Sequence, residues 1–182
     1  MDFLPVILQR VRAHGFRVFE RGELNLNLVG ERSPSNVPGA LDDLFHAVWR
    51  ENGTWVRKTW PCTLDPGRRT FLQLPNPAGA PMIEAPQQAS RAYQLGEHKG
   101  RPALRQVAPI AIRRDRNRDG RIDRDGPITR GLYGMHIHDG ATAEWSAGCT
   151  VLPPPAMAEL YALCQRSAVL YGDRFTFTVL PA

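Results

Sequence analysis

Two histidines, an aspartate and a cysteine fall within 17 residues, in Tyr133-Gly-Met-His-Ile-His-Asp-Gly140 followed by Trp145-Ser-Ala-Gly-Cys-Thr-Val151. Side chains of an extended segment alternate between faces, so His136 and His138 project to one side and Met135 and Ile137 to the other. Cys149 follows Ser146-Ala147-Gly148, a small-residue turn in which a thiol can stand clear of its backbone beside amide N–H groups. Such amides lower a thiol pKa and stabilise an oxyanion, and a neighbouring imidazole can take the thiol proton. Together these are the parts of cysteine acyl transfer. The same residues also allow two other readings: a core strand that happens to lie near a cysteine, and a metal-dependent hydrolase using His136 and His138. In the second, Glu144 follows His138 by six residues and superficially resembles a cupin's first motif, but the spacing differs and no histidine follows Cys149 to complete a ligand set.

A second cluster suits a hard cation. Asp115-Arg-Asn117-Arg-Asp119-Gly120-Arg121-Ile122-Asp123 matches the opening nine positions of a calcium loop. Ligands would be the side chains of Asp115, Asn117, Asp119 and Asp123 and the carbonyl of Arg121. Gly126 stands where the bidentate glutamate of a complete loop would be. A structural calcium ion between strands is the expectation; a hairpin turn whose arginines neutralise its aspartates is the alternative. No organic cofactor is implied.

The elements that must position these groups are mostly strands. Sixteen glycines and sixteen prolines punctuate the chain into short segments. Apolar residues at helical spacing predict a helix over Phe3–His14, stopped by Gly15. Strands are predicted at Phe16–Phe19 and at Leu24–Leu28, the latter ending at Gly30. Asn52-Gly53 between two apolar runs predicts a hairpin of 44–51 and 54–60. Pro61 to Pro86 carries six prolines and reads as irregular loop, with a turn at Asp65-Pro66-Gly67. Strands are expected at Tyr93–Leu95, Leu104–Ile112 and Leu132–His138, the first two joined by the turn Gly96-Glu97-His98-Lys99-Gly100. A helix should follow Pro153-Pro154-Pro155, and Phe175–Leu180 should form the last strand. Cys62 and Cys164 read as core residues, and with three cysteines at least one thiol is free.

A chain of 182 residues with 42% apolar content fits one globular domain. Its apolar run at Phe3–Leu8 is too short to cross a membrane and lacks the flanks of a signal peptide. Net charge is +5, but the densest arginine segment is interleaved with aspartates, which argues against a phosphate-tracking stripe and against a nucleic-acid partner. The expectation is synthesis in the cytoplasm without a signal peptide.

Ile137-His138-Asp139-Gly140 followed by Ser146-Ala147-Gly148-Cys149 resembles the signature of the L,D-transpeptidase catalytic domain, in which a strand histidine precedes a Ser-His-Gly-Cys turn carrying the nucleophile. The wider pattern, from the Asn25 strand through Trp49, Asp65-Pro66-Gly67 and His98-Lys99-Gly100, is similar to bacterial and phage-associated members. The resemblance implies a mainly β fold, sandwich- or barrel-like and of L,D-transpeptidase type, with an N-terminal helix and one helix after the catalytic cysteine. Residues 1–182 would be one catalytic domain, with 1–22 an N-terminal appendage. It also implies acyl transfer on peptidoglycan stem peptides: Cys149 attacks a carbonyl beside a diaminopimelate centre, releases D-alanine and forms a thioester, which an amine or water resolves. His138 would be the base and His136 an alternative base or orienting neighbour. The amides of Gly148 and Cys149 would form the oxyanion hole, and Ser146 would shape the turn or bond the imidazole. Tyr133, Trp145 and Thr150 would contact substrate, Thr150 lying where an arginine or asparagine is common. Action at the periplasm or cell wall would require delivery by a holin, a secretion apparatus or lysis, as for phage lysins and antibacterial effectors, with an unspecified delivery or immunity partner. A non-catalytic, calcium-stabilised wall-binding or virion module is the alternative from another class.

Overall fold

The computed structural model describes residues 3–35 and 37–182. Helix α1 (Val6–Ala13) is shorter than its apolar pattern because Pro5, extended at φ −52° and ψ 141°, sets its start. It buries Ile7, Leu8 and Val11 against Val29, Val48 and Leu180 on one face of the main sheet. Phe16–Phe19 forms no strand. The Asn27 side chain takes the place of a ladder there, accepting from the Phe19 N–H at 2.8 Å and donating to the Phe19 carbonyl at 2.9 Å. The next strand, β1 (Asn27–Glu31), begins later than the Leu24–Leu28 alternation predicts, since Leu24 adopts φ 57° and breaks the extended chain.

The hairpin β2 (Asp43–Glu51) and β3 (Thr54–Cys62) turns at Asn52 and Gly53, whose φ values of 52° and 75° are the paired positive angles such a two-residue turn requires. Pro61–Pro86 is not irregular throughout. It contains α2 (Arg68–Gln73) and β4 (Ala80–Ile83), so a third helix joins the two predicted. The next two predicted strands are the long hairpin β5 (Gln87–His98) and β6 (Arg101–Gln106), and Pro109 separates β6 from β7 (Ile110–Asp115), which enters a different sheet. Then come β8 (Thr129–Gly131), β9 (Ile137–Asp139) and β10 (Thr150–Leu152). Helix α3 (Pro154–Tyr171) opens on proline, whose missing N–H costs nothing at a first turn, and β11 (Arg174–Leu180) ends the chain.

Eight strands form one curled sheet in the order β10-β9-β6-β5-β11-β1-β2-β3, and β4-β7-β8 form a second. The last strand thus lies inside the sheet, parallel to β1 and antiparallel to β5. The edge strands β3 and β10 are drawn together where Thr63 and Val151 exchange N–H to carbonyl bonds of 3.0 and 3.2 Å, a barrel-like approach of the edges. The enclosed core holds Leu28, Phe45, Tyr93, Ile112, Phe177 and the inner face of α3. Cys62 and Cys164 are fully buried within it, and burial pushes both thiols up. A separate small core joins Phe71 and Leu74 around α2 to Met82 of β4 and to Ile122 of the aspartate-rich loop. Among the described residues, no helix is long and apolar enough to cross a membrane.

Candidate functional site

The His-x-His segment and the thiol turn meet at the β9–β10 edge. These short strands pair in parallel, Thr150 opposite Ile137 and Val151 opposite His138, while β6 pairs on the other side of β9. Met135 and Ile137 are buried in the core, so the predicted alternation holds and both histidines turn the other way, half-buried. Only Ile137 and His138 of the predicted 132–138 strand are in the sheet. Residues 131–135 are carried by the Gln106 side chain: Oε1 accepts from the Tyr133 and Met135 amides, both at 3.0 Å, and Nε2 donates to the Gly131 carbonyl at 2.9 Å. Nothing in the sequence marks Gln106, because its partners lie 25 to 29 residues away.

Hydrogen bonding separates the two histidines chemically. The Gln106 backbone N–H, which can only donate, points at His136 Nδ1 at 3.1 Å. That nitrogen is therefore unprotonated and its lone pair is committed. The His138 Nδ1 lies 2.7 Å from the Asp139 carbonyl, which can only accept, so this nitrogen carries the proton and Nε2 keeps a free lone pair. Burial, with help from His98, Arg105 and His138, pushes the His136 imidazole down to about 4, which keeps it neutral.

A third imidazole completes the cluster. His98, at the end of β5, stacks on His138 with centroids 4.7 Å apart and lies 5.0 Å from His136. Burial first, and the neighbouring His138 and Lys99 next, lower its pKa. In the sequence His98 is 38 positions before His136 and stands out only as part of a turn; the β5-β6-β9 pairing brings it in.

Cys149 is half-buried. Its Sγ accepts from the His136 backbone N–H at 3.4 Å and faces the Gly134 carbonyl at 3.7 Å. Burial raises the thiol pKa, against the smaller lowering from the His136 amide and the Lys99 ammonium. Among the described residues, no imidazole nitrogen bonds the sulfur. His138 lies two residues beyond the amide that holds it, about 7 Å along the strand.

Ser146 shapes the turn. Its hydroxyl donates to the Cys149 carbonyl at 2.9 Å and accepts from the Gly148 N–H at 3.2 Å. Of the two amides expected to receive an oxyanion, Gly148's is thereby committed, and Cys149's has no hydrogen-bond partner among the described residues. Gly148 sits at φ 113°, and a Cβ there would meet the Pro81 carbonyl oxygen at 2.5 Å. Helix α2 grips the other side: the Gly67 N–H and the Thr70 hydroxyl both donate to the Ser146 carbonyl, at 2.9 and 2.7 Å. Arg69 pairs with Glu144 at 3.0 Å and lies 4.2 Å over the Trp145 ring.

Of the expected substrate contacts, Thr150 is buried in β10 and gives its amide to the His136 carbonyl, a role in the strand and not in a cleft. Trp145 is exposed on the α2 side. Tyr133 does line a pocket of about 170 Å³, together with Ala147 of the thiol turn, Pro81, Asn76 and Arg114. The Arg114 guanidinium lies 5.5 Å over the Tyr133 ring and donates to the Gly79 carbonyl at 2.9 Å. Among the described residues it has no carboxylate partner. Arg114 is invisible to motif reading because β7, not the thiol turn, carries it.

The aspartate-rich loop closes on itself. Asp115 is buried and accepts from the Asn117 and Asp123 amides at 3.1 and 2.9 Å. Asn117 and Asp119 accept from the Asp119 and Arg121 amides, at 3.1 and 2.8 Å, and Asn117 also donates to the Asp123 carboxylate at 2.5 Å. Among the described residues, no group of three or more histidine, cysteine or acidic side chains converges as a metal cluster. The oxygens that fit a hard cation are those of Asp115, Asn117, Asp119 and Asp123, with Asn117 and Asp119 exposed and Asp123 half-buried, and with no bidentate carboxylate at Gly126. Arg124 anchors the loop's far end to the buried Asp65 at 2.5 Å, just before α2.

No family model, curated protein or solved structure matches the chain.

Proposed function

We propose that the protein is a cysteine acyl transferase or peptidase of L,D-transpeptidase type, acting on peptidoglycan stem peptides at a diaminopimelate–D-alanine bond. The observation that carries the reading is the opposite proton placement on the two histidines: the one whose Nε2 lone pair is free, His138, shares a sheet face with the nucleophile turn. His138 accepts the Cys149 proton, and the thiolate adds to the substrate carbonyl. The oxyanion is received by the Cys149 amide. The imidazolium returns its proton to the departing amine of D-alanine, leaving a thioester. An amine acceptor or water then attacks that thioester, losing its proton to His138 and freeing the thiol. His136 holds Sγ through its backbone and does not exchange protons, since its Nδ1 lone pair is engaged. Arg114 supplies the cation for a substrate carboxylate that Thr150 cannot.

A raised thiol pKa fits this chemistry only if substrate or base draws off the proton, and it is also what an inert cysteine would show. That observation favours the second reading, a non-catalytic wall-binding or virion module with the aspartate loop as a structural calcium site. Mass spectrometry of purified muropeptides incubated with the protein and with Cys149→Ala decides between them. Loss of D-alanine, a new cross-link or a cut stem only with the intact thiol supports the enzyme; identical muropeptides in both, with calcium present, support the module.

A further inference from the structure

A cleft of about 300 Å³ lies over the β5–β11 pair, and three arginines, Arg17, Arg91 and Arg174, line it with no aspartate or glutamate among its lining residues. Among the described residues none of the three makes an ion pair. Arg91 lies seven positions before His98 on β5, about 23 Å at strand rise, so this cleft is distinct from the thiol site.

The local backbone is built to present these cations. Arg91 adopts φ 48°, unusual for a residue with a side chain, at the place where the β5–β11 register shifts between Phe175 and Phe177. The Arg91 N–H is taken by the Thr176 hydroxyl at 3.1 Å instead of by the ladder. Irregularities of this kind re-aim a side chain and persist where the surrounding structure enforces them. Arg17 is fixed from below: Gln88 accepts from its N–H at 3.0 Å and donates to its carbonyl at 2.8 Å. Tyr171 and Phe175 supply an apolar wall to the same cleft, and the Arg17 guanidinium lies over the Phe19 ring at 5.3 Å. Planar guanidinium groups suit the oxygens of a phosphate, and uncompensated charge beside aromatic surface suits an anion attached to a ring or apolar body.

We infer that this cleft binds a phosphate-bearing ligand, its anionic group received by Arg17, Arg91 and Arg174 and its apolar body laid against Tyr171. Free phosphomonoesters and polymer-borne phosphodiesters share that chemistry.

Calorimetric titration of the full chain with phenyl phosphate tests the inference. One saturable site is expected, at least tenfold weaker for inorganic phosphate and for R91A/R174A, and unchanged in C149A and in R130A, a control at an exposed arginine of the second sheet. Because both substituted residues are exposed, the double variant should melt with the wild type; R91A alone, several-fold weaker, provides a second reading if it does not. A poly(glycerol phosphate) arm separates the sources: tighter binding than phenyl phosphate, weakening steeply with salt, identifies a polymer, and equal or weaker binding identifies a free ester. No saturable binding of either ligand, or equal losses in R91A/R174A and R130A, overturns the inference.

Discussion

The thiol turn and the aspartate loop both lie against α2, and each passes through a glycine at positive φ, 113° at Gly148 and 77° at Gly120. They are held in contrasting ways. Apart from the Arg124–Asp65 pair at its far end, the aspartate loop satisfies itself, through side chain to amide bonds spanning two to eight residues. The thiol turn is held from far along the chain: Thr70 reaches the Ser146 carbonyl across 76 residues, Gly67 donates to the same oxygen, and Pro81 sits where a Gly148 side chain would have to go. A motif that closes on itself can be copied from fold to fold. One that depends on a distant helix and strand is shaped by its tertiary setting, as preorganised reactive groups must be. The geometry of Cys149 is therefore a property of the whole sheet edge, with α2 as its clamp.

Substitutions on the two sides should differ accordingly. On the proposed reaction, C149A removes the nucleophile and should lower turnover by about 10³-fold or more. H138A should cost about 10² to 10⁴-fold, the range of a lost general base, measured as hydrolysis of a stem tetrapeptide. H136N keeps an acceptor for the Gln106 amide and should stay within several-fold of wild type. Equal losses in H138A and H136N would erase the distinction drawn from their hydrogen bonds.

G148A should destabilise by about 1–3 kcal/mol or more in chemical denaturation, since it forces a side chain into a left-handed backbone against Pro81. G120A meets only the Leu72 side chain, at 3.1 Å, so it carries the conformational strain without the backbone clash and should cost less. A G120A as damaging as G148A would reverse the contrast.

His136 adds a pH signature. Its folded pKa is about 4, below the ordinary 6.5, so the unfolded chain binds the extra proton between those values. The stability this group contributes is present above pH 6.5 and is lost as pH falls toward 4. The wild-type minus H136N difference in melting temperature should shrink across that window; a flat difference would mean that the imidazole is not held neutral.

The smallest effect concerns calcium. If the aspartate loop takes the ion, millimolar calcium should raise the melting temperature by a few degrees, D119A should abolish the rise, and alkylation of Cys149 should not change. A calcium-dependent alkylation rate would join the two regions that their hydrogen bonding separates.

The sequence makes legible what is written locally. Asn52-Gly53 marks a hairpin because only positive φ closes that turn, and Pro153-Pro154-Pro155 marks the start of α3. The face shared by His136 and His138 follows from strand alternation. What escapes is what pairing supplies: His98 arrives through β5 and β6, Arg114 through β7, and Gln106 replaces a strand with its side chain. Helix α2 escapes because prolines surround it, its six residues are too few for an apolar period to show, and its role depends on Gly67 and Thr70 meeting a loop far ahead in the chain.

On the proposed reaction, Cys149 forms an acyl bond. Intact-protein mass spectrometry during incubation with a diaminopimelate-containing tetrapeptide tests it most directly, with the peptide masses recorded in parallel. The wild type should gain the mass of the tripeptide acyl group on Cys149 or, where deacylation is fast, free tripeptide and D-alanine should accumulate, with neither in C149A. An unmodified protein beside an unchanged peptide would contradict it.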